Sequence, residues 1–421
     1  MQQMRRIQMS NLKKPELLAP AGDLEKLKIA VLYGADAVYI GGEAYSLSAK
    51  AKNFNAETMK EGIDFAHAHG AKVYVTANIF AHNSDFDGMG EYFKSIYEMG
   101  ADAVLVSDPG VYTVLKEYAP DLELHVSTQA NNTNYKTAQF WYKLGAKRIV
   151  GARELSLKEI KEMRDNIPED MEIETFVHGA MCISYSGRCL LSNYLTGRDA
   201  NRGACSHPCR WKYYLMEETR PGEYMPIEEN ERGTFIFNSK DLCMLDHIPE
   251  LVDAGISSLK IEGRMKTPYY VGTIVKTYRQ AIDDYFENLE YYKSRIPYYM
   301  SEVCKVSHRD FTTGFYFGKP GHDDQVYTSN TYIRNYDFIG MVVEDWDKET
   351  GCATVMQRNK FEVGDVIEVL PQKGDSSEMT VTQMWDTDGV PVMSAPHPEQ
   401  ILKLKTDIPL KKFDMLRKAS K

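Results

Sequence analysis

The sequence predicts an α/β protein: a TIM-type (β/α)8 barrel with a cysteine-rich insertion after its seventh strand, then a small C-terminal all-β barrel. Three observations carry this. A phrase of helix end, glycine, small residue and short apolar strand recurs five times before residue 265. Amphipathic helical segments lie between the phrases. From Tyr332 onward the helical period gives way to alternating apolar and polar residues between turn signals.

The phrase reads Tyr-Gly-Ala-Asp-Ala-Val-Tyr-Ile-Gly-Gly at 33–42 and His-Gly-Ala-Lys-Val-Tyr-Val at 69–75. It returns at 99–108, 144–153 and 254–264. Glycine there suits a helix C-cap, where left-handed backbone is needed. The apolar run that follows suits a strand buried on both faces, and so a parallel sheet. Further strands fit at Glu16–Ala21, Leu122–Gln129 and Ile173–Gly179, and helices at Leu24–Leu32, Ala56–Ala68, Phe86–Met99, Tyr135–Leu144, Leu157–Ile167 and Tyr269–Asn288. Eight such units close into a barrel of about 250 residues. An open doubly wound sheet is the alternative. It would show a glycine-rich phosphate loop after the first strand, and the run from Ala19 to Asp23 is not one.

A chain of 421 residues exceeds one ordinary domain. The expected division is a barrel over 1–290 with its insertion at 180–250, an aromatic linker over 291–330 and a β-barrel over 331–421. Within the insertion Trp211–Glu217 and Thr234–Asn238 read as strands. In the last part Ile339–Val343, Cys352–Gln357, Val366–Leu370, Met379–Met384 and Ile401–Lys405 do so. No stretch approaches the eighteen apolar residues of a membrane span, and Met1–Lys14 lacks the apolar core of a signal peptide. A cytoplasmic protein is expected, in a reducing compartment where cysteines serve as ligands more often than as disulfides. The net charge of −10 argues mildly against a nucleic-acid partner. Between Met181 and Tyr214, however, Arg188, Arg198, Arg202, Arg210 and Lys212 face one acid, Asp199. An acidic protein binds RNA through such a patch.

That same segment holds four of the seven cysteines, Cys182, Cys189, Cys205 and Cys209, with Cys243 a little further on. Soft thiolates select zinc or iron–sulfur clusters. Only Cys205 and Cys209 have the spacing of a zinc knuckle, and the wide gap from Cys182 to Cys189 suits a cubane cluster better. Five candidates remain for four places. Cys304 and Cys352 lie apart and read as inert buried residues. A cysteine protease is the rival reading; His178 and His207 are near in sequence, but no local protease signature is present.

The run from Glu174 through His178, Cys182, Gly187 and Cys189 to Ser192 resembles the signature of the collagenase-like peptidase family. So do Asn193 to Cys205, Asn238-Ser-Lys-Asp-Leu-Cys243, Leu259-Lys-Ile-Glu-Gly-Arg-Met-Lys266 and Glu16-Leu-Leu-Ala-Pro-Ala-Gly-Asp23. The layout is similar to its branch of prephenate-dependent tRNA uridine hydroxylases, which make 5-hydroxyuridine at the wobble position. Sister branches act on a ribosomal RNA cytidine or in quinone synthesis. The resemblance implies a [4Fe–4S] cluster on Cys182, Cys189, Cys205 and Cys243, with Cys209 the alternative to Cys243. It also implies tRNA as substrate, the dicarboxylate prephenate as cosubstrate, and room for a paralogous partner subunit.

Polar residues at strand C-termini are the natural site candidates in a barrel. Arg153 and Arg264 would clamp a dicarboxylate, each with a structural salt bridge as the plain alternative. His178 would be an acid–base residue or a hydrogen-bonded core histidine. Glu262 would orient Arg264 or act as a base. Asn78, Asp108 and Gln129 would hold substrate polar groups or satisfy loop amides. Arg188, Tyr194 and Arg198 would form an RNA-facing lip, Tyr194 offering a stacking face. A peptidase and a non-enzymatic RNA-binding module with a structural metal are the rival functions.

Overall fold

The structure is a computed structural model that describes residues 13–43, 45–46, 53–181, 189–198, 205–206, 208, 240–319 and 332–420, with the backbone alone at 214–215 and 225–226. Eight parallel strands form a closed barrel. They are β1 (Glu16–Pro20), β2 (Ala37–Gly41), β3 (Lys72–Ala77), β4 (Ala103–Val106), β5 (Glu123–Val126), β6 (Ala146–Val150), β7 (Glu172–Ala180) and, after the insertion, β11 (Ser258–Ile261). β11 pairs in parallel with both β1 and β7, which closes the ring and excludes the open sheet.

Sequence signals explain the helices. α1 (Leu24–Leu32), α2 (Ala56–Ala68), α4 (Pro109–Tyr118), α5 (Tyr135–Lys143) and α6 (Leu157–Asp165) start on Asp23, Asn55, Asp108, Asn134 and Ser156, each accepting a backbone N–H. α3 (Met89–Glu98) completes this set. The glycines of the recurring phrase, Gly34, Gly70, Gly100, Gly145 and Gly255, all have positive φ, as the C-cap reading expects.

β7 runs past the barrel edge. Its last residues pair antiparallel with β10 (Asp241–Cys243), setting Cys243 opposite His178, and β12 (Phe311–Thr312) adds a parallel strand to β10. The insertion contributes α7 (Leu191–Thr196) and a backbone hairpin of β8 (Tyr214–Leu215) and β9 (Met225–Pro226). The expected strand at Thr234–Asn238 lies outside the described residues.

The chain returns through α8 (Ile248–Asp253) and α9 (Pro268–Glu287) to α10 (Leu289–Val303). α10 occupies the first part of the stretch expected as an aromatic linker. Its tyrosines are an amphipathic pattern: Tyr292 and Tyr299, two turns apart, are both buried. Asn288 caps α10 and separates it from α9.

The C-terminal part is an antiparallel half-barrel. Its strands are β13 (Tyr336–Asp347), β14 (Cys352–Gln357), β15 (Phe361–Glu362), β16 (Val366–Leu370), β17 (Ser377–Thr380), β18 (Met384–Trp385), β19 (Ser394–Ala395), β20 (Ile401–Lys405) and β21 (Met415–Ala419). The seven-stranded sheet runs β17-β16-β21-β13-β14-β20-β18. The single strand expected over Met379–Met384 is two strands at opposite edges, and Cys304 and Cys352 are half-buried rather than core. The half-barrel has its own core around Val342, Val355 and Leu402, while Met341, Leu370 and Met415 belong to the barrel's core. Arg417 joins the two parts, its guanidinium bonded to Glu302 of α10 and Glu368 of β16.

Candidate active site at the carboxyl end of the barrel

Arg264, three residues beyond β11, is only 5% exposed. Its Nη1 donates to Thr76 Oγ1 at 2.9 Å and its Nη2 to Ser46 Oγ at 2.7 Å, and those hydroxyls lie 2.8 Å apart. Gly41 makes room: a Cβ there would stand 2.6 Å from Arg264 Nη1 and 2.5 Å from Ser46 Oγ. Among the described residues no carboxylate forms an ion pair with Arg264. Burial pushes its pKa below the usual guanidinium value, while Tyr39, Glu262 and Tyr92 pull the other way from further off. A guanidinium stays protonated even so. The site therefore contains a buried cation held by neutral hydroxyls.

Arg153 is placed differently. Its Nη2 donates to Glu262 at 2.9 Å, and its guanidinium lies 3.6 Å from the centre of the Phe176 ring. Glu262 also accepts from the Gly263 amide, and its side chain is 33% exposed. Glu262 thus orients Arg153, not Arg264 as expected. Beneath them Lys260 Nζ sits 4.5 Å from the Tyr39 ring and 5.3 Å from the Phe176 ring, held by Glu174 at 2.6 Å.

His178 is buried against Tyr270, Tyr278 and Phe311. Burial, with Lys266 and His308 nearby, pushes its pKa down to about 3, so the ring is neutral at physiological pH. The Tyr278 hydroxyl stands 2.8 Å from the Val177 carbonyl, 3.4 Å from His178 Nδ1 and 4.0 Å from Cys243 Sγ. Burial raises the Cys243 thiol to about 12. A bound metal ion overcomes such a shift, because its charge deprotonates a coordinating thiol.

Cys189 is half-buried and Cys205 exposed. The Ser206 amide donates to Ser192 Oγ at 3.0 Å, and Ser206 Oγ also meets Ser192 and Thr196, so the Cys205 segment is tied to α7, two residues beyond Cys189. Thiols are the donor type that holds iron–sulfur clusters, but among the described residues no three His, Cys, Asp or Glu side chains are grouped to hold a metal ion. Cys182, Cys209 and Arg188 lie outside the described residues.

Asn78 Nδ2 donates to Ser127 Oγ at 3.0 Å and to Gln129 Oε1 at 3.1 Å. Asp108 caps α4, its Oδ1 accepting from the Gly110 and Val111 amides. Tyr194 on α7 is 86% exposed, and the Arg198 carbonyl accepts from Ser192. The structure therefore brings Asn78, Gln129, Arg153, His178, Cys243, Glu262 and Arg264 to one end of the barrel, with Asp108 in a capping role.

Two family models cover the chain: peptidase family U32 over residues 22–326 and its C-terminal domain over 334–417. The chain belongs to peptidase family U32. Among its U32 relatives, "tRNA hydroxylation protein P1" of Bacillus subtilis (strain 168) is 44% identical over 406 residues, 96% of this chain and 95% of that one. "tRNA hydroxylation protein P" of Escherichia coli (strain K12) is 38% identical, covering 91% and 92%. "23S rRNA 5-hydroxycytidine C2501 synthase" of the same organism is 39% identical over 272 residues, 65% of this chain and 40% of that one.

Sequence reasoning missed much of what supports this U32 site. Ser46 and Thr76 carry no motif, and only the fold brings them to Arg264. Deeper in the barrel Arg148 bonds to Glu16, Glu172 and Glu174. The charged positions within the strand runs Ala146–Val150 and Glu172–Ala180 were the available signal for that network.

Proposed function

We propose that this protein is a tRNA-modifying enzyme that hydroxylates a wobble uridine to 5-hydroxyuridine, with prephenate as cosubstrate and a [4Fe–4S] cluster in the site. The observation that carries the reading is Arg264, a buried cation at the barrel mouth with no carboxylate partner among the described residues. A buried charge is costly until it is paired, and a carboxylate of an entering dianion supplies the missing charge. The names of the 44% and 38% identical relatives supply the substrate class.

In this reading Arg264, Ser46 and Thr76 hold one carboxylate. Arg153, already neutralised by Glu262, lies over Phe176 and meets the other end of the ligand. Glu262, the more exposed partner, is the nearby group able to accept a proton. Cys182, Cys189, Cys205 and Cys243 would hold the cluster, with Cys209 the alternative, and when bound it would supply iron as a Lewis-acid or redox centre. Tyr194 offers an exposed ring to an unstacked base, and Arg188 and Arg198 offer charge to phosphate. No helix among the described residues is long and apolar enough to cross a membrane, and a cytoplasmic enzyme suits a tRNA substrate.

Anaerobically purified protein is expected to be brown and to contain iron and sulfide. It should convert uridine in unmodified tRNA only when prephenate is supplied. A colourless zinc protein, or hydroxylation indifferent to prephenate, would contradict the reading.

A further inference from the structure

We propose that Asn78 and Gln129 read the hydrogen-bonding edge of the base being modified and set the preference for uridine over cytidine. The inference rests on the RNA-hydroxylase reading above and adds the residues that choose the base.

Asn78 follows β3 and lies two residues beyond Thr76, the hydroxyl that holds Arg264. Gln129 follows β5. Both therefore stand at the carboxyl end of the barrel, the end that also holds Arg264. The two amides are locked together: Asn78 Nδ2 donates to Gln129 Oε1 and to Ser127 Oγ, and Ser127 Oγ donates in turn to Gln129 Oε1. Ser107 Oγ donates to the Asn78 carbonyl, fixing the backbone beneath. This arrangement leaves one group unanswered on each residue. Asn78 Oδ1 is buried and has no donor among the described residues. Gln129 Nε2 has no acceptor among the described residues.

An acceptor beside a donor, with no charge on either, is a poor site for a carboxylate or phosphate and a good one for a neutral base edge. Uracil presents a ring N3–H next to the C4 carbonyl. That N–H answers Asn78 Oδ1, and the carbonyl accepts from Gln129 Nε2. Cytosine presents the reverse, a bare N3 beside an amino group, and would leave both amides opposed. A buried acceptor left without a donor is unfavourable, so the matching base gains what the wrong one cannot.

The test uses the holoenzyme and anticodon stem-loops carrying uridine, 3-methyluridine or cytidine at the target position, read as relative kcat/KM and as binding. With the wild type, 3-methyluridine and cytidine loops are expected to be at least about tenfold poorer than uridine. In Asn78→Ala the methyl group should cost less than about threefold, because the acceptor it blocks is gone. Gln129→Glu, which turns the donor into an acceptor, should lower uridine turnover and narrow the uridine-to-cytidine ratio by about tenfold. Gln129→Ala provides the same ratio should the charged variant fold poorly. A merely structural pair would lower all three substrates alike. Equal rates for uridine and 3-methyluridine in the wild type, or an unchanged ratio in a folded Gln129 variant, would overturn the assignment. Absence of hydroxylation of any loop by the wild type would instead remove the reading on which it rests.

Discussion

Arg148 and Arg264 are buried guanidinium groups in one barrel, and their surroundings differ in kind. Arg148 touches the carboxylates of Glu16, Glu172 and Glu174; Arg264 touches two hydroxyls. Removing Arg148 leaves three acids without their cation, so Arg148→Met is expected to cost about 3–5 kcal/mol in denaturant unfolding. Arg264→Met removes a buried charge that no carboxylate among the described residues pairs. It should hold or raise the melting temperature while kcat/KM for hydroxylation falls about 100-fold or more. Loss of stability in that variant would show that Arg264 is a structural residue. The acids of the Arg148 network also predict a pH dependence. Burial raises the Glu16 pKa, but the charge and hydrogen bonds of Arg148 outweigh it and bring the carboxyl from 4.5 down to about 2. The stability this contributes, about 3 kcal/mol, is complete above pH 4.5 and is lost as pH falls towards 2. Glu16→Gln should flatten that part of the acid unfolding curve. At this scale the sequence displayed Arg153, Glu262 and Arg264 as polar strand ends. It could not display their partners, because Ser46 and Thr76 lie 218 and 188 residues from Arg264.

The glycine-led phrases marked real strand entrances, because one local requirement, a left-handed helix cap, repeats at each of them. Two other elements were hidden in the sequence. α10 reads as an aromatic linker because tyrosine suits strands and loops as well as helices, and its buried face is defined only by contact with the barrel, where the Tyr292 hydroxyl donates to the Leu245 carbonyl. β21 is not among the strands expected from the sequence, yet it lies between β16 and β13, where Glu302 and Glu368 compensate Arg417. Element ends also carry a testable feature of the site. Gly41→Ala at the end of β2 would push a Cβ against Arg264 Nη1 and Ser46 Oγ, the movable ends of two side chains. The expected outcome is a stability change within about 1 kcal/mol, with activity sharply reduced as the guanidinium is displaced. An active Gly41→Ala enzyme would mean that the position of Arg264 is unimportant. On α9, Lys276 is buried with its amine unpartnered among the described residues, and burial lowers its pKa from 10.5 to about 8. The unfolded chain holds that proton up to pH 10.5 and the folded chain only to about 8. Stability should therefore rise between pH 8 and 10.5, and Lys276→Met should add about 2–3 kcal/mol below pH 8 and remove that slope.

The whole molecule is a barrel whose one end is reserved for chemistry and whose flank carries the half-barrel. The Tyr33 hydroxyl lies 2.9 Å from the carbonyls of both Leu370 and Phe413, and α9 approaches β21 so closely that a Cβ on Gly272 would stand 2.3 Å from Met415. The half-barrel is thus docked through contacts of its own strands with α1, α9 and α10, which reach the first turns of α1 and α9, where Arg358 bonds to Glu25 and Phe338 stacks on Tyr269. Strand count, closure and the place of the insertion were legible because they follow from local repeats in chain order. The open form of the C-terminal sheet was not, since it depends on which short strands find partners. The activity proposed for this barrel mouth, with its cysteine-bearing insertion and an arginine that no carboxylate among the described residues pairs, is hydroxylation of uridine in tRNA. It is tested most directly by mass spectrometry of tRNA nucleosides from a strain lacking this protein and its paralogues, complemented with the wild type, Cys243→Ala or Arg264→Met. A uridine derivative one oxygen heavier is expected with the wild type and none with either variant; the same derivative in the uncomplemented strain, or undiminished in both variants, would rule this activity out.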